Sequence, residues 1–272
     1  MKVITKNEAL QILASEEKIT ANILQFYQEN VVPANYHEGL GWYQRAYEIC
    51  VWYSKKYNKP VNVIAGMLAA LSPGTNWAQN IVDLENVLNG LQTNKRFDRI
   101  TVTSYNSNKL KAIAIYSMHT DNEIFKKLKG SSKEINKTSS FFLNILQPTN
   151  NNYVTIDRHT IKIALNGYFY NSSKYTGPGL FDGIIDNGPE DIETIIALTE
   201  KRYKLIRDCF KTAGRKLGLR GLELQSIVWI AYRNKYIGIF DVAALKLDRF
   251  IYGKVIFGRA RSVYAEQSNI PF

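Results

Sequence analysis

Two short stretches hold the residues best suited to chemistry. Asp157 lies in YVTIDRHTIKIALNG, between an apolar run and a helical pattern. A carboxylate there sits at the N-cap or in the first turn of a helix, where open N–H groups and the positive end of the dipole keep it ionised. Such an anion can stabilise a developing cation or activate a water. An ordinary helix cap has the same sequence signature. Lys137, in INKTSSFFLNIL, lies at another helix start. The dipole disfavours a cation there, which helps a nucleophilic amine, although a solvated lysine would look no different. His159 follows Asp157 by two residues and fits a hydrogen bond to a backbone carbonyl better than direct proton transfer. His37 and His119 read as surface residues, and Glu38 is marked only by its closeness to Trp42 and Tyr43.

Metal chemistry has little to work with. Two cysteines, Cys50 and Cys209, build neither a disulfide framework nor a four-thiolate cluster, and three histidines leave little for zinc. No metal or cofactor is expected. Charge says more. Residues 201–261 carry 15 Lys and Arg against 4 Asp and Glu, equal to the whole chain's net charge of +11. Charge concentrated in this way marks a binder of polyanions, with a solvated basic face or a membrane-surface patch as the alternatives. With 45% apolar and 12% aromatic residues, the 272-residue chain can bury a core and is not a disordered binder. No apolar run reaches the roughly 18 residues of a membrane span. The polar start, MKVITKNEALQ, has no secretory leader pattern, so a cytoplasmic protein of a bacterial or phage-infected cell is expected.

The elements that must position these residues are helical nearly throughout. The apolar spacing predicts helices over 6–30, 38–57, 60–71, 76–90 (ended by Gly90), 105–118, 121–127, 136–146, 157–165, 190–217, 222–235 and about 240–250. Residues 60–71 are apolar all round and should be central. Residues 166–188 read as a long loop, and 251–257 as a short strand or tail. The fold class is therefore all-α. Two lobes with a groove between them are expected, within a single unit spanning 1–272.

Four stretches in order resemble the helix-hairpin-helix DNA glycosylase superfamily, the endonuclease III-like enzymes. PVNVIAGMLAALSPGTNWAQNIVDLENVL is similar to its apolar helix, polar turn and following helix. SYNSNKLKAIAIYSM is similar to the next helix. LKGSSKEINKTSSFFLNIL stands in the place of the hairpin, and VTIDRHTIKIALNG resembles the Val-Asp-x-His signature. The resemblance covers residues 60–165, with the basic helices of 190–272 completing the lobes. Gly130 alone remains of the hairpin's usual glycines, and the iron–sulfur cluster of many members has no four cysteines to hold it.

The resemblance implies an enzyme that flips and excises a damaged or modified base. Asp157 would stabilise the sugar cation or activate water, and Lys137 could form a Schiff base and add lyase activity. Trp42, Tyr43, Ser72, Thr75, Asn76, Trp77 and His159 would line the base pocket or fill the gap. Gly130, Ser131, Lys133 and Arg158, with Arg215, Lys216 and Arg220 of the basic stretch, would meet DNA. A monomer with DNA as its partner is expected. A phage base-hypermodifying transferase on the same scaffold and a non-catalytic DNA binder are the alternatives, because a shared fold does not fix the reaction.

Overall fold

The helical period is realised in nearly every predicted segment. The computed structural model describes residues 2–132, 135–168 and 199–236. In chain order these hold α1 (Lys6–Ile12), α2 (Glu16–Asn30), α3 (Pro33–Leu40), α4 (Trp42–Tyr57), α5 (Val61–Leu71), α6 (Trp77–Gln92), α7 (Asn106–Tyr116), α8 (Asp121–Lys129), α9 (Lys137–Leu146), α10 (Arg158–Leu165), α11 (Glu200–Lys216) and α12 (Gly221–Tyr236). The one β pairing among the described residues is a parallel pair of two-residue strands, β1 (Lys2–Val3) and β2 (Gly167–Tyr168). The loop expected over 166–188, the start of the 190–217 helix, the 240–250 helix and the 251–257 segment fall wholly or mostly outside the described residues.

Three expected boundaries are corrected. The helix expected over 6–30 is two helices, because Ser15 caps α2 through a bond from Lys18 N–H to its Oγ, and Glu16 and Glu17 follow it in the first turn. The helix expected from 38 begins instead at Trp42, after a separate helix with Pro33 in its first position. Gly90 does not end α6. It is buried where a Cβ would lie 2.6 Å from Ile100 Cγ1, and the helix runs on to Gln92. Asn94, at φ +51°, supplies the left-handed stop, and Lys95 N–H returns to Gly90 O at 2.8 Å.

The chain divides into two compact units. Of the described residues, one holds those within 2–43 and 131–236, the other those of 44–130. The stretch 60–165 that carries the resemblance is thus shared between them.

In the unit of 44–130, α5 is buried along nearly its whole length, as its composition requires. The backbone leading into α7 is fixed by the fully buried carboxylate of Asp83. It accepts from Thr103 N, Thr103 Oγ1 and Ser104 N at 2.9–3.0 Å. Ser104 Oγ and Asn108 Nδ2 in turn donate to Pro73 O, which ties down the turn after α5.

In the unit of 1–43 and 131–239, the core joins Ile19, Ile23 and Phe26 of α2 to Ile161 and Leu165 of α10, Ile206 and Phe210 of α11, and Ile227 and Tyr232 of α12. Helices α3 and α12 meet at Gly39, where a Cβ would lie 2.3 Å from Ile227 Cα, so only glycine allows the approach. Ser226 Oγ donates to the Gly39 carbonyl at 2.7 Å across the same contact.

Candidate active site

Asp157 is the N-cap of α10, with an extended backbone at φ −120° and ψ 179°. Its Oδ1 accepts from His159 N at 3.1 Å, Thr160 N at 2.9 Å and Thr160 Oγ1 at 3.1 Å. Its own N–H donates to Thr160 Oγ1 at 2.7 Å, closing a reciprocal capping box. The second oxygen, Oδ2, accepts from the indole Nε1–H of Trp229, in α12, at 3.0 Å.

The residue is 8% exposed. Burial pushes its carboxyl upward. The attraction of His159 and Lys137 and the donors of Thr160 outweigh burial and hold it below the usual carboxylate range. Asp157 is therefore ionised at neutral pH although buried.

The segment that delivers Asp157 is fastened on both sides. From α11, Tyr203 Oη accepts from Ile156 N at 3.1 Å and donates to Ser140 Oγ at 2.9 Å. Burial pushes that phenol up to about 12, so it stays a neutral hydroxyl able to do both. From α9, Asn144 is oriented to donate to Tyr153 O at 3.1 Å and to accept from Thr155 N and Oγ1. Lys137 is the first residue of α9, after the cap Asn136. It is half-buried, and its charge acts on Asp157 through space. No ion pair joins the two among the described residues.

The Trp229 ring that meets this carboxylate belongs to an aromatic cluster. Trp42 meets Trp229 and Tyr43 edge-on, with centroids 6.0 Å and 5.0 Å away, and lies tilted against Phe141 at 5.9 Å. The guanidinium of Arg233 lies over the Trp229 ring, 4.6 Å from its centroid. Tyr43 is a core residue whose hydroxyl donates to Gln225 Oε1 at 2.7 Å, and burial raises its pKa. His159 is buried with its ring tilted against Tyr232 at 5.0 Å, and its backbone N–H is one of the cap donors. Asp157, Lys137, His159, Trp42 and Tyr43 thus come together within one unit. Trp229 and Phe141 were not singled out from sequence. The available signal was a tryptophan on a helix otherwise apolar over 227–232, since a covered indole N–H needs an acceptor.

The remaining candidates divide. Ser72, Thr75, Asn76 and Trp77 lie in the other unit. Asn76 is spent as the cap of α6, accepting from Gln79 N at 2.9 Å, and Ser72 Oγ donates to Ala69 O at 2.9 Å. Thr75 Oγ1 stands 3.4 Å from Thr103 Oγ1. Gly130 closes α8 at φ +62°, with Ser131 exposed beside it. Lys133 lies outside the described residues. Arg158 is the first residue of α10 and half-buried. Arg215 and Lys216 are exposed in the last turn of α11. Arg220 is different from these, because it is ion-paired with Glu223 at the start of α12. Arg207 and Lys211 of α11 are likewise engaged by a carboxylate. Burial and the Arg207 charge lower the Lys211 pKa, and both contact Asp208, the nearest counter-charge.

An ionised carboxylate with one oxygen committed to a helix N-terminus is suited to attracting a developing cation or taking a proton from water. Among the described residues no group of three or more His, Cys, Asp or Glu could hold a metal ion. No helix among them is long and apolar enough to cross a membrane. No curated protein and no solved structure matches the chain. Its sequence matches one family over residues 6–236, a span that takes in Asp157, Lys137 and Trp229 alike, and the chain accordingly belongs to the family of unknown function DUF7178.

Proposed function

We propose that the protein is a DNA N-glycosylase of the helix-hairpin-helix type, which flips a damaged or modified base out of the stack and excises it. The observation that carries this reading is Asp157. It is buried yet ionised, fixed at a helix N-terminus, hydrogen-bonded to the Trp229 indole, and similar in sequence setting to the catalytic aspartate of the family it resembles. Breaking the bond between C1′ and the base leaves an oxocarbenium-like sugar. Asp157 stabilises that cation and takes the proton of the attacking water, while the base departs with the bonding electrons. Flipping is required because the bond is inaccessible within the duplex. The basic residues of α11 supply the contact to phosphate.

Lys137 lies within electrostatic reach of Asp157. Once Asp157 has taken a proton from the Lys137 ammonium group, the amine attacks C1′ in place of water, the base departs with the bonding electrons, and opening of the sugar ring leaves a Schiff base open to strand cleavage. Incubation with DNAs carrying different modified bases, with mass spectrometry of the supernatant, tests the reading. Free base should be released, and borohydride should trap a protein–DNA adduct that Lys137→Ala abolishes. Base release without trapping assigns water as the nucleophile and removes Lys137 from the chemistry. A mass gain on a nucleoside with its glycosidic bond intact would make the protein a base-modifying transferase instead.

A further inference from the structure

We infer that Trp229 is the positioning residue of Asp157: its indole N–H fixes Oδ2 and thereby selects which electron pair of the carboxylate faces the reacting sugar. As catalysis this rests on the glycosylase reading, but the hydrogen bond itself does not. Three donors converge on Oδ1, all from the first turn of α10, so that oxygen is committed to the cap. Among the described residues Oδ2 has one donor, Trp229 Nε1 at 3.0 Å. A carboxylate oxygen accepts at two lone-pair positions, so one remains on Oδ2 for substrate or water.

An indole is well suited to this position. It donates and never accepts, and it does not titrate, so its bond favours the anion over the protonated acid. The ring is held in place from two sides, by the edge of Trp42 at 6.0 Å and the guanidinium of Arg233 at 4.6 Å. The bond joins α12 to the cap of α10 over 72 residues of sequence. The orientation of the carboxylate therefore depends on packing in the core of this unit as well as on its own helix.

The test uses the full chain labelled with ¹³C at its aspartate carboxyls and ¹⁵N at its indoles. In the wild type, the Trp229 Nε1–H resonance should move with the same midpoint as the Asp157 carboxyl. Trp229→Phe keeps a ring and removes the donor. It should raise the Asp157 midpoint by about one pH unit, the size expected for one hydrogen bond to a charged group. Trp42→Phe disturbs the same packing without touching the N–H and should leave that midpoint in place. On a DNA from which the wild type releases base, Trp229→Phe should lower kcat about tenfold with KM unchanged. An indole resonance indifferent to Asp157, or equal shifts in the two variants, would overturn the inference. The wild-type titration decides it even if Trp229→Phe does not fold. Absence of base release from every DNA would overturn the glycosylase reading and leave the titration result standing.

Discussion

Asp157 divides its oxygens between a helix N-terminus and an indole, so asparagine is not a neutral replacement there. The amide oxygen can serve the cap, which turns its NH₂ toward the Trp229 N–H, donor against donor. It can instead serve Trp229, which uncaps α10. Either way at least one buried donor loses its acceptor, at a cost of about 1–3 kcal/mol each. Asp157→Asn should therefore lower the unfolding midpoint by several degrees. Trp229→Phe should cost less when combined with Asp157→Asn than in the wild type, with a coupling of about 1 kcal/mol by chemical denaturation. Strictly additive losses would mean that the two side chains do not interact in solution. The cap was legible in the sequence because aspartate before a helical period has a local signature. The Trp229 partner was not, because no local pattern connects residues 72 positions apart.

On the proposed reading, helix α11 carries the contact with DNA phosphate. Its buried positions Tyr203, Ile206, Phe210 and Ala213 turn Lys204, Asp208, Lys211 and Arg215 onto one side. Arg207 and Lys211 are held close to the surface, their side chains 16% and 21% exposed. Replacing the exposed Lys204, Arg215 and Lys216 together by Ala should make the slope of log affinity against log salt shallower by about three, since each neutralised phosphate contributes about −0.9. Arg220→Ala should change stability and leave that slope alone, because its guanidinium is already paired with Glu223. A slope unchanged in the triple variant would turn this helix away from DNA. Composition revealed the charge but not its face, since the face depends on which side of the helix the core covers. The break before α2 carried a readable cap in Ser15 followed by two glutamates, but the apolar spacing continues across it. Gly90 misled for the opposite reason: it is small because Ile100 packs onto it.

At the scale of the whole chain, the helical class was legible because one period runs through most segments, with α5 apolar on every side. The grouping of segments was not. The first 43 residues join the stretch after 130, and only long-range packing such as Gly39 on Ile227 records that. The candidate site draws on both parts of this discontinuous unit: Trp42 and Tyr43 from the first, Lys137, Asp157 and Trp229 from the second. The central claim is that these residues break a glycosidic bond in DNA through the Asp157 carboxylate. The most direct test is release of free base from a verified substrate DNA by wild type and Asp157→Asn, at saturating DNA and with folding of both confirmed. Wild type should release base and leave an abasic site. The variant should bind the DNA at least as tightly and turn over roughly 10² more slowly, the scale of losing a main electrostatic contact to the transition state. Near-wild-type release by the variant would reduce Asp157 to a helix cap and contradict the mechanism.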